Sequence, residues 1–118
     1  MEPEEFFAGQ PFALSVYEGV RATIEAIGPA EVRTTRGQVA FRRRRGFAWL
    51  WLPGRWLTRP DAEIVLSVAL PERRESARWK EVVHPSPRVW MHHLEIQALD
   101  DLDDEVDGWL REAWATAD

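Results

Sequence analysis

A chain of 118 residues can bury one hydrophobic core but not two, and the absence of cysteine removes disulfides, thiolate metal sites and thiol nucleophiles together. A net charge of −5 works against binding nucleic acid by bulk electrostatics, which needs a positive face. The acidic start MEPEEFFAG lacks the basic segment and apolar run of a secretory signal, and no apolar run approaches the ~20 residues of a membrane helix. A single cytoplasmic domain over residues 1–118, without membrane contact, is expected.

In chain order, Glu4 to Ala8 predicts a short helical turn whose Phe6 and Phe7 pin the terminus, with Gly9 as a joint. Pro11 to Ile27 predicts an amphipathic helix: Ala13, Val16, Tyr17, Val20, Ile24 and Ile27 share one stripe, opposite Ser15, Glu18, Arg21 and Glu25. Pro11 suits a first helical position, and Gly28 followed by Pro29 predicts a left-handed cap and a stop. Glu31 to Thr35, rich in β-branched residues, predicts a first strand.

The stretch QVAFRRRRGFAWLWLPGRW, Gln38 to Trp56, predicts a β-hairpin with the arginine run at its bend. Ile64 to Leu70 is a further strand, with Ile64, Leu66, Val68 and Leu70 on one face and Val65, Ser67 and Ala69 on the other. Strands apolar on both faces belong at the centre of a sheet covered on two sides. Pro71 to Pro87 is a long connection in which Ala77 to Val83 predicts a short element. Arg88 to Ile96 alternates again, placing Trp90, His92, Leu94 and Ile96 opposite Val89, Met91, His93 and Glu95. Asp100 to Asp104 opens a last helix with the stripe Leu102, Val106, Trp109, Leu110, Ala113 and Trp114. The fold expected is α+β: an antiparallel meander of about five strands flanked by an N-terminal and a C-terminal helix.

Four groups of residues invite a chemical reading. Arg42, Arg43, Arg44 and Arg45 at a bend can converge on an anion, extended by Arg36, Arg55 and Arg59, or can be a solvated tip that protects strand ends. Trp49, Trp51 and Trp56 lie within eight positions. With only two amphipathic helices to cover the strands, one sheet face is left aromatic and partly bare, suited to stacking a base, a flat anion or a second subunit. His92 and His93 leave opposite faces of a strand and cannot share a metal, and His84 sits in no metal-binding motif. The acids from Asp100 to Asp107 fit a helix start better than a calcium loop. No phosphate loop, dinucleotide fingerprint or nucleophile elbow occurs, so no cofactor, metal or catalytic set is expected.

The segments EEFFAG, GPAEVRTTRGQVAF leading into GFAWLWLP, RWKEVVHPSPRVWMHHLEI and DDEVDGWLREAW resemble, over nearly the whole chain, a bacterial family of small uncharacterised domains, domain of unknown function 5655. By more distant analogy the chain looks like YdhG-type α+β domains, whose iron-chaperone label has no matching ligand positions here. The resemblance implies an α+β fold and carries over no reaction, ligand or catalytic residue. The expectation is therefore a non-enzymatic binding or protein-interaction module, a homodimer or a unit with a protein partner. Its candidate ligand-binding residues are Arg43, Arg45, Trp49, Trp51, Trp56, Trp90 and His92. The alternative is recognition of a nucleotide or single-stranded nucleic acid by the arginine hairpin with tryptophan stacking. A hydrolase or metal enzyme using His84, His92 or His93 ranks last.

Overall fold

A computed structural model describes residues 1–118. A one-turn helix, α1 (Pro3–Phe6), and the longest helix, α2 (Pro11–Ile27), precede β1 (Glu31–Thr34), β2 (Val39–Arg42), β3 (Gly46–Trp51), β4 (Ile64–Leu70), β5 (Glu81–Ser86) and β6 (Val89–Ile96), and α3 (Asp104–Thr116) closes the chain. The strands form one antiparallel sheet in the order β1-β2-β3-β4-β6-β5. The two strands apolar on both faces, β3 and β4, are the central pair.

Two differences from the expected meander have local causes. The connection after Pro71 contains a sixth strand, β5, hidden in the sequence by Pro85 and by mostly polar, exposed positions. Such a strand is tolerated at a sheet edge, where a register shift between Val83 and Ser86 absorbs the proline. Because β5 folds back on β6, β6 is the neighbour of β4 and the order is no longer sequential. Asp100 and Asp101 belong to a separate 3-10 turn, and the true cap of α3 is Asp103, whose carboxylate accepts from Val106 N at 3.2 Å.

The helices all serve one face. Ala13, Val16, Tyr17, Val20 and Ile24 of α2, with Val106, Trp109, Leu110 and Ala113 of α3, share a core with Phe41, Ala48, Leu50, Leu52, Leu66, Val68, Leu94 and Ile96. The bulge in the hairpin is part of this packing. Register steps from Phe41↔Ala48 to Arg42↔Gly46, so Phe47 has no partner on β2 and both Phe47 and Ala48 enter the core. As expected, Phe6 and Phe7 pin the terminus: Phe7 meets Tyr17 at 5.6 Å between ring centroids, and Tyr17 meets Phe41 at 6.0 Å.

Gly28 does not take the left-handed cap read from the sequence. Its φ is 170°, extended backbone open to any residue. Glycine is needed for room: a Cβ there would lie 2.3 Å from Cζ2 of Trp114, whose indole N–H donates to Pro29 O at 3.0 Å.

Candidate functional site

The sheet face away from the helices carries Trp49 and Trp51 of β3, beyond the bulge, and the odd-numbered side chains of β4 and β6. Register lines Ala40, Trp49, Ser67, His93 and Glu81 in a row across β2, β3, β4, β6 and β5. Trp51 stands one pleat along from Trp49, opposite Val65. After the 3-10 turn Pro53–Arg55, Trp56 swings back so that its ring meets Trp51 edge-on at 6.3 Å. Trp56 is 61% exposed and its neighbour Leu57 56% exposed.

Between these rings lies an open cleft of about 470 Å³, lined by Trp49, Trp51 and Trp56, by Ser67, Met91 and His93 on its floor, and by Thr35, Gly37 and Gln38 from the β1–β2 turn. Glycine shapes one wall. A Cβ on Gly46 would sit 2.6 Å from Cζ2 of Trp49, so the missing side chain is what allows that indole to lie down along its strand. A second hollow of about 330 Å³ shares Trp51 and His93 with the first and is bordered by Arg59, Asp61, Lys80, Glu81 and Glu95. There Lys80 pairs with Asp61 at 2.9 Å.

The floor is wired by hydrogen bonds. Trp51 Nε1 donates to Ser67 Oγ at 2.9 Å, and Ser67 Oγ lies 2.7 Å from His93 Nδ1. The indole of Trp51 also faces the His93 ring edge-on at 6.2 Å. Burial pushes the His93 pKa below the ordinary histidine value, against the opposing pull of Glu81. The ring is therefore neutral at neutral pH.

Of the seven residues singled out from the sequence, the structure gathers Trp49, Trp51 and Trp56 and disperses the others. Arg43 donates to Trp114 O at 2.8 Å with its guanidinium over the Trp114 ring, and Arg45 donates to Thr116 O, so both grip the end of α3. Trp90 stacks on His84 at 3.7 Å with 10° between the rings. His92 is fully buried on the helix side, where Nε2 accepts from Arg74 N at 3.0 Å and Trp79 lies 4.8 Å away.

Ser67 is not among the candidates read from the sequence, and His93 is weighed there only as a hydrolase or metal residue. A signal existed for each: Ser67 is the one polar residue in IVLSVAL, and His93 shares parity with Met91 on the bare face. Nowhere do three His, Asp or Glu side chains gather in a metal-holding group. No helix is long and apolar enough to cross a membrane.

No curated protein and no solved structure matches this chain. Residues 3–117 match the family described as Domain of unknown function (DUF5655), and the chain belongs to that family.

Proposed function

We propose that this protein is a non-enzymatic binding module whose bare sheet face holds a flat aromatic small molecule among Trp49, Trp51 and Trp56. The observation that carries the reading is the cleft itself: three indoles converge on about 470 Å³, within the ~300–1,000 Å³ typical of small-molecule sites. Indole faces supply stacking area at little entropic cost, and the bonded floor holds Trp51 in place before a ligand arrives.

The Ser67–His93 contact has the outward form of a catalytic dyad, yet binding fits it better. Ser67 is 3% exposed, its Oγ accepts from Trp51, and the amides around it sit in ladders to β3 and β6. Acyl transfer needs free N–H donors aimed at a developing oxyanion, and a central strand spends its amides on its neighbours.

The test is a titration of planar heteroaromatic fragments followed by the indole N–H signals of Trp49, Trp51 and Trp56. Saturable shifts confined to these residues are expected. Trp56→Ala should weaken binding about three- to tenfold while leaving the melting temperature unchanged, since Trp56 is exposed. A broad fragment set that moves none of the three signals defeats the reading.

The exposed neighbours Trp56 and Leu57 favour a second reading, a protein contact or self-association at the cleft rim. Sedimentation of wild type and of a Trp56→Ala, Leu57→Ser double variant separates the two: a dimer that the variant dissolves supports the contact.

A further inference from the structure

The proton positions along the cleft floor follow from valence. An indole N–H only donates, so Trp51 gives its proton to Ser67 Oγ. Ser67 is buried, and its own hydroxyl proton needs an acceptor; the remaining partner of Oγ is His93 Nδ1. Were Nδ1 protonated, Oγ would receive two protons and its hydroxyl hydrogen would be left unpaired in the interior, an arrangement folded proteins avoid. Nδ1 is therefore the acceptor, and the proton of the neutral ring sits on Nε2.

His93 Nε2 has no partner within the protein. Every buried side-chain nitrogen and oxygen has one, so Nε2 opens to solvent in the hollows that His93 lines. The indole nitrogens of Trp49 and Trp56 likewise make no hydrogen bond within the chain, and no carboxylate lines the aromatic cleft. The site thus offers flat apolar faces and, at His93 Nε2, an unspent N–H donor.

We infer that the occupant of this cleft is a planar aza- or oxo-heteroaromatic molecule, neutral or anionic, that stacks on the indoles and accepts a hydrogen bond from His93 Nε2. This rests on the binding reading above and narrows it: hydrocarbons and donor-only rings fit the stacking faces but leave the His93 donor unanswered.

The experiment compares isoquinoline, naphthalene and indole, three bicyclic rings of similar size, against uniformly 15N-labelled protein at about pH 8, where His93 is neutral. Isoquinoline should bind about tenfold tighter than naphthalene or indole, the worth of one hydrogen bond. His93→Phe should erase that preference and keep the weak naphthalene binding. Long-range 15N correlation of the free wild type should place the His93 proton on Nε2, and Ser67→Ala should loosen that tautomeric preference. Equal affinity for the three rings, or a proton on Nδ1, overturns the inference while leaving stacking intact. If none of the three shifts the tryptophan signals, the binding reading fails and this one falls with it.

Discussion

His92 and His93 are neighbours in the chain with opposite protonation patterns. Arg74 N donates to His92 Nε2, so the His92 proton sits on Nδ1 and is given to Trp90 O at 2.9 Å. Burial holds both rings below the ordinary histidine pKa, which is about 6.5 in an unfolded chain. As pH falls below that value the unfolded chain takes up protons first, so these two residues stabilise the fold fully above it and progressively less as pH drops through their folded values. Urea midpoints should therefore fall on acidification from about pH 7.5 to about pH 5. His92→Phe should flatten part of that slope and cost about 1–3 kcal/mol at neutral pH, because the Arg74 amide loses its acceptor. Two glycines allow contrasting tests by thermal unfolding. Gly108 is exposed within α3 with open space where a Cβ would go, so Gly108→Ala should stabilise by up to about 1 kcal/mol. Gly46→Ala should instead displace Trp49 and weaken ligand binding.

The helices depend on partners far away in sequence. The carboxylate of Glu63 accepts from Ala13 N at 2.9 Å, supplying the N-terminal bond that Gln10, at the cap position of α2, does not. Glu63→Ala should cost about 1 kcal/mol. At its start, α3 is bracketed by Arg78, which bonds Asp103, Glu105 and the Asp101 carbonyl and holds the Asp103 carboxyl below its usual range. Its last turn contains no basic residue, and Arg43 and Arg45 provide the missing positive charge from the hairpin. Arg43→Ala should lower stability by about 1–2 kcal/mol, read from denaturant midpoints. Much of the element plan was legible: α2 keeps the predicted bounds, because its proline, its apolar stripe and its stop are all local signals. The purpose of the arginines was not legible, since a run of like charge at a bend says nothing of a helix end some seventy residues on. The cleft was half legible for the same reason. Alternation exposes Trp49 and Trp51, but only cross-strand register brings Ser67 and His93 between them.

Taken whole, the molecule has two layers, with helices on one side of a six-stranded sheet and the aromatic cleft on the other. Amide exchange should be slowest along β3, β4 and β6, which are paired on both edges and buried on the helix side. It should be faster in β1 and β5, the sheet edges. The strands' period of two assigns Ala48, Leu50 and Leu66 to the core and Trp49, Trp51 and His93 to the cleft, so the two are built from separate sets of side chains, with Trp49 also bordering a hollow that Phe47, Leu70 and Ala113 line. Most cleft positions can therefore drift or be randomised without disturbing the packing beneath the helices. Under the proposed binding role, a few substitutions on this single face would exchange one ligand preference for another within an unchanged scaffold.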